Sequence, residues 1–177
     1  MQSRHEEVLE QLRARLGAKL VSAEVRQAVA GVKRSANQIT LWITVGRDDL
    51  RSAVTVLRGF GPLHVSTPMA SKEYQQHLEL IYPLALFGGS GDWQELPVII
   101  AVSIPKPDLR IKTLTDLVPG ILFMERETIE MLGVEIEGIP DKSRLWTPDN
   151  LSPDLKPMRG IMHSLEGEAG GGKNEPK

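Results

Sequence analysis

At 177 residues, with 41% hydrophobic and 25% charged residues, the chain has the length and balance of one globular domain with its own core. The formal net charge of −2 provides no basic footprint, which argues against a nucleic-acid partner. The sequence contains no cysteine, and this excludes disulfides, thiolate zinc sites and cysteine-ligated iron–sulfur clusters within the chain.

The sequence also offers no segment for membrane insertion or export. The longest apolar run, near Val98 to Ile104, is much shorter than the roughly 20 apolar residues that a spanning helix needs. The first residues form a charged helical pattern without the apolar region of a signal peptide. We therefore expect a cytoplasmic protein.

The chain begins with a helix followed by two strands. Ser3 and Glu6 match a capping box ahead of an amphipathic stripe that ends at Gly17. Alternation of apolar and polar residues over 21–26 predicts a half-buried strand. The same alternation over 39–45 predicts a second strand, and this is the clearest pattern in the sequence.

A second helix and a short strand follow. Either Asp48 or Asp49 is suited to cap the helix, and Gly59 is suited to end it. Residues 63–67 then predict a short strand. The helix shows apolar residues at the i, i+3, i+4 and i+7 positions, namely Leu50, Ala53, Val54 and Leu57.

A hairpin is predicted next. Alternation over 78–84 and 98–104 indicates two strands, and the glycine-rich stretch 88–92 links them. Pro83 predicts an edge strand or a bulge, because proline cannot donate to a strand ladder.

One further helical turn precedes the last helix. It is predicted over 114–118, capped by Thr113 or Thr115 and stopped by Pro119-Gly120. The order of elements predicts an α+β fold: a mostly antiparallel sheet with helices on one face, followed by an extended C-terminal arm.

The stretch from Ile121 to Arg144 carries the most distinctive pattern. On a helix at roughly 100° per residue, Arg126, Glu127 and Glu130 lie on one side, whereas Glu125 falls inside the apolar arc opposite. A carboxylate in that arc loses its water and needs hydrogen bonds or a cation. The simplest alternative is an amphipathic helix whose glutamate reaches the rim. The arc consists of Ile121, Leu122, Met124, Ile129, Met131 and Leu132.

The residues after the helix predict a helix cap, a short strand and a tight turn. Gly133 suits a left-handed C-terminal cap. Val134 and Ile136 alternate as a short strand, and Gly138-Ile139-Pro140-Asp141 predicts a tight turn.

These residues resemble the signature block of the thirty-kilodalton subunit of NADH:quinone oxidoreductase, complex I. The same subunit recurs in membrane-bound, energy-converting nickel–iron hydrogenases and in their sulfur-reducing relatives. The resemblance extends from Leu20 to about Asn150, and it implies the same α+β architecture. The matching residues are Glu125-Arg126-Glu127, Glu130-Met131-Leu132-Gly133-Val134, Gly138-Ile139-Pro140-Asp141 and Arg144.

Departures from the family pattern favour the hydrogenase-type relatives over the respiratory quinone enzyme. The family usually has aromatic residues where this chain has Ile129 and Leu132, and commonly a histidine where it has Ile139. The complex I versions continue into a Gly-His-Pro-Leu-Arg-Lys-Asp run. In its place this chain has Leu155-Lys156-Pro157-Met158-Arg159-Gly160.

A search for catalytic patterns finds none. The histidines, at 5, 64, 77 and 163, have no helical metal-ligand spacing, and the segment 88–92 is not followed by the lysine and the serine or threonine of a phosphate loop. Glu125 and Glu127 point about 200° apart on a helix and cannot share a substrate. Basic residues at 110, 144 and 159 are candidates to pair with this helix.

We therefore predict no catalytic, cofactor-binding or metal-binding residue, and interpret the motif as an architectural, partner-binding element. Its residues are Glu125, Arg126, Glu127, Glu130, Gly133, Gly138, Pro140, Asp141 and Arg144.

The resemblance implies a function that these residues do not themselves display. The family member is a non-catalytic assembly subunit of the cytosolic arm, peripheral to the membrane. It lies beside a large hydrogenase-like subunit, which in hydrogenases holds nickel–iron, and near a small iron–sulfur subunit. The alternatives are the equivalent subunit of a quinone-reducing complex I, a sulfur-reducing relative, or, in another class, a free-standing enzyme or small-ligand binder.

The C-terminal part lacks periodicity. We predict a domain over residues 1–145, an extended partner-binding arm over 146–160 and a disordered tail over 161–177. The arm contains scattered apolar residues without a periodic face, a composition that suits a segment ordered on a partner.

Overall fold

The computed structural model describes residues 4–30, 36–88 and 95–159. Short 3₁₀ turns at Gly17–Lys19, Arg47–Asp49, Lys106–Asp108 and Pro119–Ile121 join several of the longer elements. In chain order, these are α1 (Arg4–Leu16), β1 (Leu20–Ala30), β2 (Ala36–Gly46), α2 (Leu50–Arg58), β3 (Leu63–Val65), β4 (Ala70–Glu73), β5 (His77–Leu86), β6 (Leu96–Pro105), β7 (Arg110–Lys112), α3 (Leu122–Leu132) and β8 (Glu135–Glu137).

The main sheet has the strand order β1-β2-β6-β5-β3, and β4 also pairs with β5. Strands β2 and β6 run parallel, in a register that places Leu41 opposite Val98, and every other pair in this sheet is antiparallel. The predicted α+β fold with a mostly antiparallel sheet is confirmed. The predicted hairpin is also confirmed, because β5 and β6 pair from His77 opposite Pro105 to Leu86 opposite Leu96.

The prediction that Pro83 marks an edge or a bulge is wrong. Strand β5 is interior, and its register with β6 continues unbroken past Pro83. On the other side of β5, Pro83 lies between the stretch paired with β4 and the stretch paired with β3. Its carbonyl accepts the Ser66 N–H at 3.0 Å. The missing proline N–H therefore falls at the junction between two short neighbouring strands, where the ladder is already interrupted.

Helices α1 and α2 contact each other, and α1 also contacts β1 while α2 contacts β2. The four apolar residues predicted for α2 are each exposed by 1% or less, which confirms the pattern. They share one hydrophobic cluster with Val8 and Leu12 of α1 and with alternate residues of β2, β5 and β6. Burial of each such leucine contributes about 1.5–3 kcal/mol to folding. The core thus lies between the helical pair and the sheet.

One expectation near this core is met in part and another is wrong. Asp49 occupies the N-cap position of α2, as predicted, but its side chain makes no cap hydrogen bond and pairs with Lys19 Nζ at 3.3 Å. In β1, Val21 is 70% exposed, not half-buried, because it lies on an outer strand beside a register shift. The predicted capping box includes Ser3, which lies outside the described residues.

A second sheet has two strands, one before α3 in the chain and one after it. Strands β7 and β8 pair in parallel, with Ile111 opposite Ile136, and both side chains are buried. The predicted turn is present, since the N–H groups of Leu117 and Val118 both donate to Leu114 O. Pro119-Gly120 does not simply stop it, however: Pro119 opens the 3₁₀ turn that leads into α3. Among the described helices, none is long and apolar enough to cross a membrane.

Candidate functional site

Glu125 lies on the inner side of α3 and is 1% exposed, as its place in the apolar arc predicts. Its carboxylate accepts the Thr113 hydroxyl at 2.5 Å and the Leu114 N–H at 2.8 Å. Thr113 Oγ1 in turn lies 2.9 Å from Thr115 Oγ1. Burial raises the pKa of Glu125, although these two hydrogen bonds favour the charged form. The side chain therefore ties α3 to the segment after β7.

An arginine from α2 holds the same segment from the other side. Arg51 forms two hydrogen bonds to the Asp116 carboxylate, at 2.7 and 2.6 Å, and donates a further one to Thr113 O. The hydrogen bonds from Arg51 lower the pKa of Asp116 to about 2. Glu125 itself makes no ion pair with any described residue.

Tyr82 is a further buried residue with a polar group, and the charge of Glu125 acts on it. It is 1% exposed, and its hydroxyl has no hydrogen-bond partner among the described residues. Burial, and secondarily the charge of Glu125, raise the pKa of Tyr82. The phenol is therefore neutral and acts as a core side chain.

Glu130 lies on the outer side of α3, yet it is only 8% exposed. Its carboxylate accepts the backbone N–H groups of Leu145, Trp146 and Thr147 and the Thr147 hydroxyl. Burial would raise the pKa of Glu130, but these hydrogen bonds outweigh burial and lower the pKa to about 2.

Arg126 is bound to the same segment, but as a donor and through an ion pair. Its side chain is 10% exposed and pairs with the Asp141 carboxylate at 3.1 Å. It donates to Ser143 O at 2.9 Å, to Ser143 Oγ at 2.6 Å and to Arg144 O at 3.2 Å. The guanidinium carbon also lies 5.7 Å from the centre of the Phe123 ring. Arg126 and Glu130 lie on the side of α3 opposite the apolar arc, as the helical projection predicts, and residues 141–147 cover that side.

The remaining motif residues shape the backbone around these contacts. Gly133 has φ +70°, which confirms the left-handed cap, and its N–H donates to Ile129 O at 3.1 Å. Gly138 has φ +79° directly after β8, at the predicted turn. Pro140 is exposed, and Glu127 is half-buried on α3.

The three basic residues expected to pair with α3 do not form that pair. Arg110 binds Asp108 at 2.5 Å, and Arg144 donates its Nη1 to Pro148 O at 2.8 Å. Arg159 reaches α3, but at a main-chain group: its Nη1 donates to Leu132 O at 3.2 Å while its Nη2 pairs with Glu73.

Three residues of this site were not identified as such from the sequence: Thr113 as the partner of Glu125, and Ser143 and Thr147 as partners of the outer face. The spacing Asp141-Lys142-Ser143 is typical of a turn in which the aspartate accepts the N–H two residues on, here at 2.8 Å. No local signal marks Thr147.

Two of the described histidines make aromatic contacts. His64 packs edge-on against Phe87, and His77 stacks on Tyr74. No group of three or more potential metal ligands occurs within residues 4–30, 36–88 and 95–159. The Glu125 and Glu130 carboxylates are both occupied by hydrogen bonds from their own chain. What the site does is fix the relative positions of α3, the β7–β8 pair and the segment after residue 140.

Comparison with known proteins places this fold and motif in a family. Residues 43–165 match the model of the respiratory-chain NADH dehydrogenase 30 Kd subunit, and the chain belongs to that family. This confirms the resemblance carried by the α3 motif.

The particular relatives include components of hydrogenases and quinone oxidoreductases. The beta subunit of the membrane-bound hydrogenase of Pyrococcus furiosus is 28% identical over 138 residues, which cover 73% of this chain and 76% of the relative. NADH-quinone oxidoreductase subunit 5 of Thermus thermophilus is 25% identical over 118 residues, covering 63% of this chain and 56% of the relative.

Two solved structures show the same fold. One is from the membrane-bound sulfane sulfur reductase, an archaeal respiratory membrane complex; its chain superposes with a TM-score of 0.66 at 18% identity, covering 99% of this chain and 97% of that chain. The other is a trypsin-resistant fragment of Nqo5, with a TM-score of 0.51 at 23% identity, covering 78% of this chain and 99% of the fragment.

Proposed function

We propose that this chain is a non-catalytic assembly subunit of a membrane-bound, hydrogenase-type oxidoreductase related to complex I. The observation that carries the proposal is the family match over residues 43–165 together with the similarity to a hydrogenase subunit over 76% of that relative's length. A structural role suits a site whose two buried carboxylates, Glu125 and Glu130, are occupied within the chain.

The surface beside α3 is suited to docking. Phe123 is 55% exposed on the helix, and Trp146 is 66% exposed on the segment that Glu130 holds. Large aromatic side chains are enriched at protein interfaces, where burying them stabilises the complex. We propose that this surface is covered by the large, nickel–iron-type subunit and that a small iron–sulfur subunit lies nearby. The nickel–iron centre and clusters would then belong to those subunits, and this chain would reach the membrane only through them, on its cytosolic face.

The test is co-purification of the full chain with the large subunit. Trp146→Ala and Phe123→Ala should each weaken co-purification while leaving the thermal unfolding temperature nearly unchanged, since both side chains are exposed. Glu125→Ala and Arg126→Ala should weaken it through loss of the shape that presents those side chains. Arg58→Ala, an exposed change on α2, is the matched control. Full assembly and activity in all four variants would refute the role.

A second candidate is the thirty-kilodalton subunit of a quinone-reducing complex I. The similarity to the Thermus subunit favours it, whereas the structural similarity to a sulfane sulfur reductase chain identifies only a shared fold. Quinone reduction by the intact complex, measured against proton and sulfur reduction, separates the three reactions. Turnover by the purified chain alone would instead indicate a free-standing enzyme.

A further inference from the structure

A basic cavity of 180 Å³ opens on the outer side of α3, between the helix and residues 142–156. Its charged lining consists of Arg126, Lys142, Arg144 and Lys156, with Glu130 as the one carboxylate, and three hydroxyl-bearing residues complete the polar wall. A site for one water needs about 10–15 Å³ of such volume. The cavity is therefore large enough for an acidic side chain.

The positive charge of this cavity is not neutralised within the described chain. Arg126 is paired with Asp141, and Glu130 is occupied by the backbone N–H groups and hydroxyl of residues 145–147. By contrast, neither Lys142 nor Lys156 forms an ion pair with any described carboxylate. The cavity thus attracts an anion, and the two lysines are available to bind it.

Apolar side chains flank the same cavity. Ile129, Pro153 and the 54% exposed Leu155 line it. Trp146, whose N–H donates to the Glu130 carboxylate, is 66% exposed on the adjoining segment. Charge with adjacent apolar area suits a peptide segment that carries one acidic residue among apolar ones. A polyanionic membrane surface fits less well, because Asp149 and Asp154 are exposed on the same segment and would be repelled.

We propose that this cavity receives an aspartate or glutamate side chain from an extended segment of a partner subunit, with Trp146 and Leu155 packing on its apolar neighbours. The inference rests on the proposed function, in that it assumes a partner, and it adds the chemistry of the contact. A rim charge pair of this kind adds to affinity and fixes register, and losing it should weaken binding about tenfold.

Zero-length crosslinking of the isolated native complex tests this contact directly. A carbodiimide joins a lysine amine to a carboxylate only when the two are in contact, and mass spectrometry then identifies the joined residues. We expect Lys142 or Lys156 to be joined to an aspartate or glutamate of another subunit. Lys72 and Lys112, which are exposed on other parts of the surface, are the internal controls and should not be joined to that residue.

The matched variants are Lys142→Gln with Lys156→Met, against Lys72→Gln with Lys112→Met. Methionine is chosen at 156 because the lysine stem packs beside Gly133. When the complex depleted of this chain is titrated with each variant, the dissociation constant should rise about tenfold for the first pair and stay unchanged for the second.

The outcomes separate this inference from the proposed function. If the chain assembles into the complex but its cavity lysines join no other subunit and the variants bind equally well, the inference alone is overturned. If the chain co-purifies with no other subunit, the proposed function fails and the inference fails with it. A third outcome is that the chain floats with phosphatidylglycerol vesicles, that the cavity variants abolish this flotation, and that no crosslink to another subunit forms. This result would overturn the inference in favour of a lipid contact.

Discussion

Helix α3 carries two buried carboxylates, one on each side, and their pKa values shift in opposite directions. On the inner side, Glu125 receives one hydroxyl and one backbone N–H, and its pKa is raised. On the outer side, Glu130 receives one hydroxyl and three backbone N–H groups, and its pKa is lowered to about 2. At the more deeply buried Glu125, desolvation outweighs two hydrogen bonds, whereas at Glu130 four hydrogen bonds outweigh desolvation.

The largest expected effect comes from Glu130→Ala. It leaves three partly buried N–H groups without their acceptor, so the free energy of unfolding should fall by about 2–3 kcal/mol. Urea denaturation measures this loss, and amide hydrogen exchange should become faster at residues 145–147. Glu127→Ala, on the same helix, is the control and should change little. An unaltered exchange rate at 145–147 would show that these hydrogen bonds do not hold the segment.

A smaller loss is expected from Glu125→Ala, about 2 kcal/mol, because the Leu114 N–H and the Thr113 hydroxyl lose their acceptor while a desolvated charge is also removed. Glu125→Gln keeps an acceptor and the side-chain volume, so it should cost less than about 1 kcal/mol. Thermal unfolding of both variants measures the difference. Equal losses would mean that the charge of Glu125, and not its hydrogen bonding, stabilises the turn after β7.

Thr147→Val removes one hydroxyl donor from Glu130 and leaves the three N–H groups in place. The free energy of unfolding should fall by about 1 kcal/mol. Urea denaturation measures this loss. Thr55→Val is the matched control, because the Thr55 hydroxyl donates to Arg51 O within its own helix. A loss as large as that of Glu130→Ala would mean that the hydroxyl, not the backbone, holds the carboxylate.

The smallest effect is a change in pH dependence. The pKa of Glu130 is lowered from 4.5, so its stabilisation is present above pH 4.5 and is lost as the pH falls towards about 2. The pKa of Glu125 is raised from 4.5, so its contribution is fully present below pH 4.5 and is lost as the pH rises through the folded-state pKa. Glu125→Gln should therefore reduce the decline in the free energy of unfolding above pH 4.5. Glu130→Gln should reduce the decline in the free energy of unfolding below pH 4.5. Parallel profiles for wild type and both variants would contradict the opposite shifts.

Local patterns in the sequence predict the scaffold and the inner half of this site. Alternation identifies β2, β5 and β6, and helical spacing identifies α2 and the inward position of Glu125, because periodicity reports which side of an element is buried. The same reasoning places Arg126 and Glu130 on the opposite side of α3 but does not predict that they are buried, since a helical projection cannot include a later, aperiodic segment that folds back over the helix. The contacts of Thr147 with Glu130 span 17 residues and depend on that segment, so no local pattern encodes them. Whether residues 146–160 form a separate partner-binding arm stays a prediction.

The interruption at Pro83 has a consequence for how the chain behaves before it meets other subunits. Strands β3 and β4 contribute three and four residues to the outer border of the sheet, and they pair with β5 on either side of Pro83, which has no N–H to donate. A border broken into such short pieces offers a poor template for an incoming strand from a second molecule. The fold therefore discourages strand-swapped aggregation on that side while leaving side chains elsewhere available for specific assembly.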